Sequence, residues 1–222
     1  MKLLNINEEI PEYFYIFLDF NDSFGFMHWN NFNLSKKIYS GAIINSELNL
    51  EFKNNYLIGK QKYLPYIPSE EAPLSRTSFS LNIVNNYTLE YNLELYRYSN
   101  VCKYPSRLSA VYAFGNYETC IQVSKKYNWD LNTVKKFKLV NSEEIRNLCR
   151  VTKNNMEIIS YMRGLDCRFF SREDQNRIYE HYWEGKGNLR LVKNNKEYNT
   201  GIIYEYLIEG ILELVEENWR IC

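Results

Sequence analysis

Cysteine, histidine and glycine are scarce in this chain, and each scarcity removes a class of chemistry. Five cysteines stand at 102, 120, 149, 167 and 222, an odd number with no C-x-x-C pair. That spacing supports neither a disulfide framework nor a zinc ribbon and is what a reducing cytoplasm would favour. His28 and His181 are far apart, so a His/Cys metal centre would need remote residues to converge, and no metal is expected. The nine glycines form no G-x-x-x-x-G-K-[ST] loop. "GKGN" at 185–188 follows a helical pattern instead of opening one, so it is no dinucleotide fingerprint. No G-x-S-x-G elbow occurs, which argues against an α/β-hydrolase. An excess of one charge is also missing: 27 Lys+Arg balance 27 Asp+Glu, so no global basic field signals a nucleic-acid partner. The apolar run "YFYIFLDF" is too short to span a bilayer and contains Asp19. "MKLLNINEEI" turns acidic too early for a secretory signal. These features read together as a soluble cytoplasmic protein without a membrane partner.

What is present is apolar and aromatic. The 222 residues are 45% hydrophobic and 24% charged, enough for one core, so 1–222 reads as a single domain with 1–22 as an N-terminal extension. Aromatics reach 16%, with 20 Tyr, each offering a stacking face and a hydroxyl. Tyr, Asn, Lys, Ile and Phe are rich together and share A/T-rich codons, which accounts for the same excess without any function.

Periodicity predicts strands at 13–20, at 23–29 and, after a turn at Ser40-Gly41, in the apolar run that follows. Residues 46–80, with Pro65, Pro68 and Pro73, read as mostly irregular. A helix is expected over 86–98, a strand in "LSAVYAF", a helix over 116–128 and an alternating strand over 134–140. "NSEEIRNLCRV" begins another helix capped by Asn141 or Ser142, and 155–164 is ambiguous. "SREDQNRIYEHYWEG" is the clearest helix, with Ser171 and Asp174 as a capping pair and Gly185 as the stop. Two strands close the pattern, 201–207 and 211–215. Alternation sets Ile203, Glu205 and Leu207 on one face of the first, so a carboxylate shares a face with apolar residues. That is costly unless the carboxylate is partnered or used.

Polar residues cluster at the mouth of another strand, in "KYPSRLSAVYAF". Strand alternation would separate Ser109 from Tyr112 onto opposite faces, so at most one of them lines a site in a regular strand. Arg107 either pairs with a carboxylate such as Glu94 or holds an anion.

The ordered set His28-Trp29 with Gly41, Glu94 with Arg97, Pro105 to Val111, Tyr182-Trp183-Glu184-Gly185, and Glu205 with Gly210 resembles the ADP-ribosyltransferase superfamily of bacterial toxin and anti-phage defence type. In that pattern an early "yHw…G" precedes "E…R…P-S-R-L-S-x-V", "Y-W-x-G" and "E-x-L-x-x-G", spanning roughly residues 24–216 here. Asn155 departs from the Asp usual before Met156.

The resemblance implies an α+β fold: a split, mostly antiparallel β core with flanking helices and an NAD cleft between the half-sheets. It implies NAD as substrate and Glu205, Tyr112 and Ser109 as catalytic residues, with Glu209 as a rival to Glu205. His28, Arg107 and Trp29 would bind NAD, Arg107 through its pyrophosphate. The acceptor would be nucleic acid, RNA favoured over DNA, or a protein, and a toxin of this kind implies an antitoxin partner. NAD hydrolysis uses the same site. A catalytically inactive nucleotide- or protein-binding module is the reading from a different class.

Overall fold

The computed structural model describes residues 3–18, 36–44, 46–60, 78–165, 170–193 and 195–215. The expected strand at 23–29, with His28 and Trp29, lies outside the described residues.

The elements in chain order are β1 (Tyr13–Phe17), β2 (Lys37–Tyr39), α1 (Gly41–Ile44), α2 (Ser46–Leu57), α3 (Ser78–Asn100), β3 (Val111–Ala113) and α4 (Tyr117–Tyr127). Then follow β4 (Val134–Leu139), α5 (Glu143–Arg146), β5 (Arg150–Asn155), α6 (Met156–Arg163), α7 (Arg172–Trp183), β6 (Arg190–Lys193), β7 (Lys196–Asn199), β8 (Tyr204–Glu209) and β9 (Ile211–Leu214). Every strand pair described is antiparallel. One sheet runs β1-β4-β9-β2, a second runs β3-β8-β5, and β6 and β7 form a hairpin. The chain is thus of mixed α+β class.

The two larger sheets bury a common core. Phe14, Ile16, Phe137 and Leu212 of the first meet Val111, Val151, Tyr206 and Ile208 of the second. The opposite face of the second sheet receives the helices: Leu207 packs with Leu89 and Leu93 of α3, Ile158 and Met162 of α6, and Tyr182 and Trp183 of α7. β8 therefore sends Tyr206 and Ile208 one way and Glu205, Leu207 and Glu209 the other, as a period of two requires. Gly210 carries the chain from β8 into β9 of the other sheet. Ser40 clips that crossing, its N–H donating to the Gly210 carbonyl at 3.0 Å and its hydroxyl accepting from the Gly210 N–H at 2.9 Å.

Local signals explain the best-formed helices. Ser171 Oγ accepts from the Asp174 N–H at 3.1 Å and donates to the Asp174 carboxylate at 2.8 Å, opening α7. Just past its end, Gly185 takes φ +65°, and a Cβ there would stand 2.3 Å from the Lys153 carbonyl oxygen, so only glycine fits. Asn116 caps α4 by accepting from the Thr119 N–H.

Several expectations need correction. The apolar run after Ser40 is the short helix α1, not a strand, because four apolar residues carry too little periodicity to decide. Residues 46–57 are helical: no proline or glycine interrupts "SELNLEFKNNYL", and the three prolines lie beyond its end. α3 begins at Ser78, well before 86. The strand in "LSAVYAF" keeps only Val111–Ala113, so Ser109 lies in the preceding turn. Only α5 of the helix expected after Asn141 forms before β5 begins. The ambiguous 155–164 is α6, opened by Asn155, whose side chain accepts from the Glu157 N–H.

Candidate active site

The loop before β3 lies along the helix-facing side of β8 and divides its two carboxylates. Ser106 and Ser109 reach Glu209, and Arg107 reaches Glu205. All three loop side chains are buried.

At the first end, Arg107 makes a bidentate pair with Glu90 of α3, Nε to Oε2 at 2.7 Å and Nη2 to Oε1 at 2.9 Å. Its remaining nitrogen donates to Glu205 Oε1 at 3.2 Å and to the Tyr182 hydroxyl, while that hydroxyl donates to Glu205 Oε1 at 2.8 Å. The guanidinium also faces the rings of Tyr112 and Tyr182, 5.2 Å from each centroid. Tyr112 turns its hydroxyl back onto the Arg107 carbonyl at 2.8 Å. Arg163 at the end of α6 adds a second cation, 2.8 Å from Glu90 Oε1.

Two arginines and two carboxylates thus share one site, and the carboxylates titrate in opposite directions. Burial pushes the Glu90 carboxyl up, but Arg107 and Arg163 outweigh it and hold it down at about 2. Burial raises the Glu205 carboxyl. Arg107 and the Tyr182 hydroxyl lower it without cancelling that rise, and the charge on Glu90 adds to it. The physical reason is partition: the fork of Arg107 is spent on Glu90, leaving Glu205 a single nitrogen. Burial raises the Tyr112 and Tyr182 hydroxyls, so both remain protonated donors.

These groups line a cleft of about 1150 Å³. Glu90, Arg107, Tyr112, Arg163 and Glu205 form its polar end, and Phe17, Phe114, Tyr127 and Trp129 its aromatic end. The β3–β8 register ends with Ala113 opposite Tyr206, and Phe114, the next residue, bridges Tyr15 of β1. The aromatic end therefore begins two residues beyond Tyr112 of the polar end. In the α3 wall, the buried Asn86 Oδ1 has no hydrogen-bond partner among the described residues.

The second end of β8 is a closed polar core. Glu209 Oε1 accepts from the Ser106 N–H at 3.0 Å and the Ser109 hydroxyl at 3.1 Å, with Lys53 Nζ at 3.8 Å. Lys53 also donates to Ser109 Oγ at 3.3 Å. Arg150 stands 4.0 Å from the other oxygen. Ser106 Oγ donates to Glu94 at 2.9 Å, and Glu94 holds the Arg97 guanidinium with several hydrogen bonds. Burial lowers the Lys53 ammonium, with Glu209 and Glu94 opposing.

The structure brings Glu205, Arg107 and Tyr112 to one cleft and leaves Ser109 outside its lining, bonded to Glu209 and not to Glu205. Arg107 pairs with Glu90, whereas Glu94 pairs with Arg97. His28 and Trp29 lie outside the described residues. Sequence reasoning missed Glu90, Arg163 and Trp129 as cleft residues and Tyr182 as the donor to Glu205. The available signal was Glu90 one helical turn before Glu94, and Arg163 two residues after Tyr161 in the last turn of α6. No protein-family model matches the chain, and no curated protein matches it.

Proposed function

We propose that this chain is an NAD-dependent ADP-ribosyltransferase acting on nucleic acid, RNA in preference to DNA, as a bacterial toxin or anti-phage effector restrained by an antitoxin. The family part of this reading rests on the ordered residue pattern. The observation that carries the chemistry is Glu205, a buried carboxylate at the wall of an open cleft, fixed by the Tyr182 hydroxyl and only singly bonded by Arg107.

Cleavage of the nicotinamide–ribose bond builds positive charge on the ribose, as glycoside cleavage does. The C1′–N bond breaks, and its electron pair leaves with nicotinamide. An oxygen or nitrogen of the acceptor bonds to C1′ and its proton passes to solvent. A fixed carboxylate beside the ribose stabilises the cationic intermediate state, an effect worth several kcal/mol when the group is preorganised. Tyr182 and Arg107 supply the preorganisation by holding one oxygen of Glu205. Tyr112 offers a ring to the cationic nicotinamide. Arg163, whose side chain keeps 51% of its surface exposed at the cleft, suits the pyrophosphate. In this reading Arg107 orients Glu205, because its own fork is already filled by Glu90.

The test is incubation of the chain with adenylate-labelled NAD and, separately, RNA, single-stranded DNA and protein. Label on RNA with release of nicotinamide supports the reading. Nicotinamide release without labelled macromolecule identifies hydrolysis, and no release from any mixture overturns an NAD-cleaving function.

A further inference from the structure

The aromatic end of the cleft has no role in the chemistry assigned to Glu205, yet it is built as a platform. Trp129 follows the last turn of α4 and is 43% exposed, an unusual exposure for the largest side chain beside a buried core. It touches three rings, one edge-on and two tilted: Phe17 at 5.2 Å and 80°, Phe114 at 6.5 Å and 60°, Tyr127 at 6.2 Å and 42°. Phe17 meets Phe114 at 5.9 Å and 89°. Three ring contacts hold the indole in place while it keeps 43% of its surface exposed, so stacking on it costs a ligand little ordering entropy. The same cleft is lined by Asn86, whose buried Oδ1 has no partner among the described residues. A buried acceptor without a donor costs about 1–3 kcal/mol, which a ligand N–H in the cleft would offset.

We propose that this end of the cleft is the acceptor subsite: Trp129 stacks an unpaired nucleobase of a single-stranded nucleic acid, and Asn86 Oδ1 accepts from that base's exocyclic amine. The inference rests on the transferase reading and adds to it which part of the acceptor is recognised and by which residues. Tyr112 already provides a ring seat next to Arg107 and Glu205, so a second ring in the same cleft fits the other reactant. The chemistry selects adenine, cytosine or guanine over uracil or thymine, because only the first three carry an amine. Recognition rests on ring and amine more than on charge. Lys126, at the end of α4, is tied to Glu157, and Asp130 follows Trp129 directly. Binding should therefore depend weakly on salt for a nucleic-acid protein.

The experiment measures binding of labelled 12-mer rA, rC and rU to the full chain without NAD, by fluorescence anisotropy, with AMP as competitor. Expected results are that rA and rC bind about tenfold more tightly than rU, and that Trp129→Ala weakens rA and rC by about tenfold. Trp129→Phe, which keeps an aromatic surface, should retain part of the affinity. Asn86→Leu should bring rA and rC toward rU while keeping the stacking contribution. Circular dichroism checks that each variant is folded. Equal binding of all three oligomers in the wild type, or rA affinity unmoved by a folded Trp129→Ala, overturns the proposal. So does AMP that binds the wild type while the oligomers themselves fail to bind, which would place the dinucleotide's own adenine on the shelf. Label transferred from NAD to protein with no oligomer bound sinks the subsite and spares the transferase. Oligomer binding with the expected base preference, but no NAD cleavage, does the reverse.

Discussion

Glu205 and Glu209 leave the same face of one strand four residues apart, and the protein treats them in opposite ways. Glu209 is enclosed by a backbone N–H, a serine hydroxyl, Lys53 and Arg150. Its two hydrogen bonds and the nearer cation all meet at one oxygen, and Arg150 stands by the other. Glu205 has a tyrosine hydroxyl and one nitrogen of an arginine whose fork serves Glu90. It stands at a cleft wall with a raised carboxyl. The first is a satisfied polar core that pins the turn before β3. The second is a buried acid with a raised carboxyl at a cleft, a condition a fold tolerates where chemistry is done. The lesson is that burial and donor count do not distinguish the two carboxylates, each of which takes two hydrogen bonds on one oxygen; what separates them is that Glu205 lines a cleft.

The comparison breaks most readily at the closed end. Glu209→Gln should cost about 3 kcal/mol in urea unfolding, because it leaves the buried Lys53 without its closest carboxylate. A loss below about 1 kcal/mol would mean that this end is no tighter than the cleft.

Acid should then separate the carboxylates of the site itself. The folded value of Glu90 is depressed, so its contribution is present above its ordinary value of 4.5 and is lost as pH falls from there toward about 2. That contribution is on the order of 3 kcal/mol for a shift of this size. Substitution Glu90→Gln should flatten the acid limb of a stability–pH curve in this window, measured by urea midpoints from pH 6 to pH 2. An unchanged limb would remove Glu90 as the stronger partner of Arg107.

Tyr182→Phe deletes one donor to Glu205 and leaves the ring over Arg107. A loss of about 1 kcal/mol in thermal unfolding is expected, with folding kept.

The smallest stability effect belongs to Glu205→Gln. Its folded value is raised, so its stabilising contribution is full below the ordinary carboxyl range and falls away as pH rises through the raised value. At neutral pH the variant should match or exceed the wild type within about 1 kcal/mol, and that advantage should vanish as pH drops below about 4.5. A large destabilisation at neutral pH would make Glu205 structural, like its neighbour.

Part of this contrast is legible in the sequence. The alternation in "YEYLIEG" puts Glu205 on a face with Leu207, and the structure keeps that face. The polar mouth of "YPSRLSAVYAF" is also visible as an anomaly, and Arg107 and Tyr112 do line the cleft. Which carboxylate pairs with which arginine is not legible. Glu90 and Glu94 lie one turn apart on α3, so local pattern cannot tell them apart, and only the packing of α3 against the loop sends Glu90 to Arg107. Ser109 drew attention as a strand residue. It belongs to a turn whose hydrogen bonds run to Glu209, a partner 100 residues away. Trp129 carries no periodic signal at all, since it follows the end of a helix and takes its place from Phe17 and Phe114 of remote strands. Helix α2 was obscured by prolines that lie beyond it.

The most direct test of the central contrast is nicotinamide release from NAD by wild type, Glu205→Gln and Glu209→Gln, each at a temperature where it is fully folded by circular dichroism. Glu205→Gln should release nicotinamide about 10²–10³-fold more slowly, and folded Glu209→Gln should stay within about tenfold of wild type. Near-normal release by Glu205→Gln, with the larger loss falling on folded Glu209→Gln, would contradict the account.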